Sequence, residues 1–99
     1  MMNTQTVFPR VVAVKPLAGK CLLVDFSNGS SRIYDCAHLL GHEAFRPLVV
    51  EAFFRAVRPD PTGYGIVWND EIDLAESELW INGKEVEPAG ERDAGDRPR

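Results

Sequence analysis

Asn28-Gly29 stands between two runs of alternating polarity, Lys20 to Phe26 and Ser30 to Asp35. Alternation is the period of a half-buried strand, and Asn-Gly accepts the positive φ that a two-residue type I′ turn demands at both central positions. The stretch is expected to be a β-hairpin with Asn28 and Gly29 as its loop. That loop would pair Val24 with Ile33, Asp25 with Arg32, Leu23 with Tyr34 and Cys21 with Cys36. Side chains alternate along a strand, so Leu22, Val24, Phe26 and Ile33 would share the core face. Cys21, Leu23, Asp25, Arg32, Tyr34 and Cys36 would share the other.

The neighbouring segments extend this hairpin. Arg10 to Lys15 is rich in β-branched residues and closed by Pro16, which marks a strand joined to the hairpin through Pro16 to Gly19 and places Arg10 beside Asp25. Phe45, Leu48, Val49, Ala52, Phe53 and Ala56 follow a helical stripe, but Gly41 and Pro47 interrupt it. Proline is tolerated only in a first helical turn, so one short helix is expected near Ala37 to Gly41 and a second from about Pro47, with Phe54 turned inward. Arg55 to Arg58 and Gly65 to Trp68 read as short strands around two prolines, which suit a sheet edge. Asp73-Leu74-Ala75-Glu76 has capping-box spacing, with a helical turn running to about Leu79. Asn82-Gly83 signals a turn, with a small terminal hairpin.

The fold class expected is α+β: a small antiparallel three-stranded meander, a helical crossing segment, a further short strand pair and a C-terminal helical turn. The chain has 99 residues, 44% apolar and 26% charged, which suits one domain over residues 1–87. Residues 88–99 offer no aromatic, Leu, Ile or Val and are expected to form a disordered polar tail. A domain of this size buries little more than about 60% of its unfolded surface, which leaves no room for a large enclosed active site. No apolar run approaches the roughly 18 residues of a membrane span, and the N-terminus lacks the pattern of a secretory signal. The cytoplasm is the expected location.

Net charge is -4, which argues against the basic footprint that nucleic acid requires. The imbalance is local: residues 70–87 carry seven acidic side chains against one basic. Asp70, Glu71, Asp73, Glu76, Glu78, Glu85 and Glu87 form an acidic surface that would attract a basic protein. Arg46, Arg55 and Arg58 are too few for more than a weak DNA contact.

Catalysis needs a nucleophile beside a base, and the two histidines sit in one loop region away from Ser27, Ser30 and Ser31, which serve a turn. No phosphate-binding glycine motif is present, so an enzyme is not expected and no cofactor is assigned. The alternative is a small-ligand or metal-binding domain using Cys36, His38 and His42: soft thiolate and imidazole suit zinc, although a structural site normally takes four ligands from two separated pairs.

Pro9, the valines of the first strand, Phe26-Ser27-Asn28-Gly29, Arg32-Ile33-Tyr34-Asp35, Leu39-Leu40, Phe45, Leu48, Phe54, Val57, Gly65-Ile66-Val67-Trp68, Asp73-Leu74 and Leu79 together resemble the small bacterial family called domain of unknown function 2442. The resemblance covers about residues 9–80 and implies the α+β fold with Phe54 inside. Members are frequently encoded beside a second small family, numbered 4160, in an arrangement that looks like a toxin–antitoxin pair. That implies an antitoxin-like, partner-binding protein. Some longer relatives carry a helix-turn-helix after this domain; only a polar stretch follows Pro88 here, so their DNA binding is not carried over. The reading is a non-enzymatic protein-interaction module with a small protein partner. Its expected contact residues are Glu71, Asp73, Glu76 and Glu78, with the sheet face of Leu23, Arg32 and Tyr34 as second choice.

Overall fold

The computed structural model describes residues 8–86. The order is β1 (Val11–Leu17), β2 (Cys21–Phe26), β3 (Ser31–Asp35), two 3-10 turns (Ala37–Gly41 and Glu43–Val49), α1 (Glu51–Phe54), β4 (Arg58–Pro59), β5 (Gly65–Asn69), β6 (Ile72–Ala75), α2 (Glu76–Asn82) and β7 (Lys84–Val86). Strands β1-β2-β3-β7 form one antiparallel sheet and β4-β5-β6 another, so the fold is α+β. The sheets meet where the Val11 N–H donates to the Gly63 carbonyl at 2.9 Å. α2 packs on β3, β5 and β6, and its fully buried Leu79 joins a core drawn from both sheets and the helical crossing. The 88–99 tail lies outside the described residues.

The hairpin forms, but its register is one residue from the expected one. Cys21 faces Asp35, Leu22 faces Tyr34, Leu23 faces Ile33, Val24 faces Arg32 and Asp25 faces Ser31. The cause is the loop. Phe26 N–H donates to the Ser30 carbonyl at 2.8 Å and Gly29 N–H to the Phe26 carbonyl at 3.0 Å, which makes Ser27, Asn28 and Gly29 a three-residue loop. Gly29 has φ +89° and Asn28 is not left-handed, so the two consecutive positive φ values of a type I′ turn are absent. One left-handed residue after a tight turn is the three-residue solution. Asn28 contributes through its side chain instead, its Oδ1 accepting the Ser30 N–H at 3.0 Å.

A shift of one residue exchanges the faces of a strand. Leu22, Val24 and Phe26 are buried as expected, but the side chain that joins them from β3 is Tyr34; Ile33 lies on the other face and is only half-buried. Cys21 is not opposite Cys36, whose N–H donates to the Lys20 carbonyl at 2.9 Å; both thiols are free. β1 continues through Pro16, where an edge strand needs no N–H on its outer side. A bulge at Val12 sets Ala13, not Arg10, against Asp25.

The helical crossing is broken, and the break aims Phe54. The break falls at Val50, not at Pro47, the expected start of the second helix: Pro47 lies inside the second 3-10 turn, and Val50, extended at φ -79°, ψ 117°, separates that turn from α1. Phe54 is 0% exposed and Val50 60% exposed. Trp68 closes over this corner, its indole N–H donating to the Phe54 carbonyl at 2.9 Å. β4 is shorter than expected and begins at Arg58, because Arg55 and Ala56 still donate to carbonyls of α1.

Asp73 is not a helix cap. Ile72 and Leu74 are buried while Asp73 and Ala75 are exposed, a period-two pattern that pairs with β5 as a strand. The helix starts at Glu76 with Ala75 as N-cap and no side-chain cap bond. After Gly83 the chain pairs with β3 instead of folding back as a terminal hairpin.

Candidate functional site

The acidic surface is carried by the β5–β6 hairpin. Asn69 Oδ1 accepts the N–H groups of Glu71 and Ile72 at 2.8 and 2.9 Å, and this side-chain-closed turn pushes Asp70 and Glu71 outward. Asp70, Glu71 and Asp73 are exposed; Glu76 is half-buried at the first position of α2. Among the described residues, the ion pairs are those of Glu51 with Lys20 at 2.7 Å and with Arg55 at 3.0 Å, so the hairpin carboxylates have no such partner there. Arg58, Trp68, Asn69, Asp70 and Glu71 line a shallow depression, open to solvent, beside this turn.

Glu78 has a different task. The Tyr34 hydroxyl donates to Glu78 Oε2 at 2.7 Å and lies 3.2 Å from His38 Nε2. With its one proton given to the carboxylate, the hydroxyl oxygen accepts from the imidazole in the tautomer protonated at Nε2. Burial, then the Glu78 bond and charge, push the Tyr34 phenol well above its ordinary range. The pair ties α2 to β3 and is structural.

Leu23, Arg32 and Tyr34 do not form one surface, a direct result of the register. Arg32 and Tyr34 belong to the face under α2, and Leu23 faces the other way beside Ile33. The Arg32 guanidinium stacks 3.7 Å from the centroid of Trp80, and Nη1 donates to the Gly83 carbonyl at 3.4 Å. Trp80 meets Phe26 edge-on at 5.1 Å, so both tryptophans serve packing.

Cys36, His38 and His42 fall within one loop region, but Cys36 is fully buried while both histidines are exposed. Among the described residues, no three His, Cys, Asp or Glu side chains gather into a group able to hold a metal ion. Burial first, then the nearby Cys21 and Asp35, push the Cys36 thiol up to about 12. A group whose pKa is raised on folding favours the native state below its unfolded value and loses that contribution as pH climbs through the folded one. Stability measured by urea denaturation is therefore expected to decline between about pH 9 and 12, and a Cys36→Ala variant to show a shallower decline over the same window.

Sequence reasoning missed one pairing across the molecule. Arg10 Nη2 donates to the Tyr64 hydroxyl at 2.8 Å, with the guanidinium 4.5 Å above the Tyr64 ring and Nη1 donating to the Thr62 carbonyl at 3.4 Å. Nothing local marks two residues so far apart in sequence as neighbours. It also missed that β6 is an outer strand, because Asp73 read as a cap.

A family model described as "protein of unknown function (DUF2442)" matches residues 11–85. No curated protein and no solved structure matches the chain.

Proposed function

The chain belongs to the DUF2442 family, and from that premise we propose that it is a non-enzymatic protein-interaction module that binds a small basic protein through the β5–β6 hairpin. The observation that carries this reading is the set of exposed carboxylates, Asp70, Glu71 and Asp73, without an ion-pair partner among the described residues. Asp70 and Glu71 sit on a turn closed by its own side chain and Asp73 on the paired strand that follows, so little ordering is needed on binding. Among the described residues, the depressions beside Trp68 and around Arg10 and Ser27 are open rather than enclosed, a shape that suits a protein surface better than a small substrate. A contact of roughly 800 Å² per side would suffice for a stable complex.

The partner relation fits an antitoxin-like protein that holds a small co-encoded protein. Glu78 is excluded from the contact set because it is committed to Tyr34. Co-expression with the neighbouring small reading frame tests the proposal. The wild-type chain is expected to co-elute with it in a complex that weakens as salt rises, since screening acts on exposed charges. The Asp70→Lys, Glu71→Lys, Asp73→Lys triple variant is expected to lose at least about tenfold in affinity with an unchanged fold. Elution of the chain alone, or equal affinity of the triple variant, overturns the reading.

A further inference from the structure

Among the described residues, four strands form the outer edges of the two sheets, and three of them carry features that discourage a further strand. β1 has the Val12 bulge, the exposed Lys15 and Pro16. β4 is two residues long, contains Pro59 and is followed by Pro61. β7 is described over three residues and begins with an exposed Lys84. Bulges, prolines, lysines and short length are the devices that keep edges from pairing. β6 is also short, at four residues, but Ile72–Ala75 contains no proline or lysine, and the irregularity in its ladder lies on β5, between Val67 and Asn69.

The backbone of β6 is also open in a definable way. Glu76 N–H donates to the Tyr64 carbonyl at 2.9 Å, which fixes the side of the ladder that Glu76 faces. Successive residues of an antiparallel strand point their backbone groups to opposite sides, so Leu74 shares the side of Glu76. Asp73 and Ala75 then direct their N–H groups away from β5, and both residues are exposed. Carboxylates border this edge throughout, with Asp70 and Glu71 at the turn, Asp73 on the strand and Glu76 just beyond its end.

We infer that the partner adds a strand to β6, and that the added strand is an extended segment bearing Lys or Arg. This rests on the interaction reading above and specifies its mode: backbone hydrogen bonds to Asp73 and Ala75 supply the alignment, and the flanking carboxylates select a basic sequence. Strand addition at an exposed edge is an established way for a peptide to be recognised.

The probe is the capped peptide acetyl-Lys-Val-Lys-Val-Lys-Val-amide, with its Glu-for-Lys counterpart as control, each titrated against the full chain. Two variants separate charge from backbone. Asp70→Lys with Glu71→Lys removes the charge and leaves the strand. Ala75→Pro removes one outward N–H: Ala75 already has φ -74°, close to the value that proline imposes, and the preceding Leu74 is already extended. The basic peptide is expected to bind saturably and the acidic one not at all, with each variant weakening binding at least about tenfold. In the wild-type complex the amide protons of Asp73 and Ala75 are expected to exchange more slowly, a readout that does not depend on how the proline variant folds. Full binding by Ala75→Pro with loss in the charge variant, or unprotected amides in a saturated complex, overturns strand addition and leaves the acidic contact standing. Equal binding of both peptides overturns the basic selectivity. Failure of the partner co-elution described above is a separate result and would remove the interaction reading itself.

Discussion

Replacing Phe54 by alanine is expected to remove about 3–5 kcal/mol of stability, because it deletes a fully buried aromatic side chain and leaves a cavity that its neighbours fill only in part. Small domains hold roughly 5–15 kcal/mol in total, so the loss is a large share of what is available. The site has little freedom to collapse. Phe54 ends a four-residue helix, its ring lies 6.4 Å from that of Trp68, and its carbonyl holds the Trp68 indole. Urea denaturation followed by tryptophan fluorescence measures the effect and reports on this corner directly. Val50→Ala is the matched control: Val50 is exposed on the same segment and its truncation should change stability by no more than about 0.5 kcal/mol. Equal effects of the two substitutions would contradict the broken-helix arrangement.

The second large effect is expected at Gly65. A Cβ there would land on the Leu74 carbonyl oxygen, well inside contact distance, and 3.2 Å from the Ala75 Cα. Both are backbone atoms of the paired strand, so neither can swing aside as a flexible side chain would. Gly65→Ala should therefore cost near the top of the ~1–3 kcal/mol range for overpacking, through separation of β5 from β6. Because β6 carries the acidic edge, peptide and partner binding should fall with stability. Gly41→Ala tests the specificity of this argument, since a Cβ at Gly41 meets nothing within 4 Å and its φ is not positive. That variant is expected to be neutral or stabilised by under about 1 kcal/mol. Thermal melts of both proteins with a binding titration on each would decide the matter, and a stable Gly65→Ala that binds normally would refute the close approach.

The candidate surface was legible in part. Seven acidic residues within residues 70–87 announce a charged region from composition alone. Their division into contact and structural roles was not legible, because Glu78 is tied to Tyr34 by a hydrogen bond spanning 44 positions. The same holds for Asp73. Asp-x-x-Glu spacing satisfies a capping rule, yet the burial of Ile72 and Leu74 against β5 outweighs what a single cap contributes. A local preference worth about a kilocalorie gives way when two apolar side chains can be buried by the competing arrangement.

By itself the amino-acid sequence determined the elements whose causes are short-ranged: the chain reversal around Asn28-Gly29, the burial of Leu22, Val24 and Phe26, and the broken helix that turns Phe54 inward, together with the α+β class and membership of the DUF2442 family. Tertiary structure alone decided whether the hairpin loop holds two residues or three, and with it whether Ile33 or Tyr34 enters the core. It also decided the pairing of β7 with β3 and of Arg10 with Tyr64. The physical reason is that both parities of a hairpin satisfy the same local turn chemistry. The choice between them is made by what lies beneath the sheet, where Leu79 packs into the core and Glu78 accepts the hydroxyl proton of a buried tyrosine.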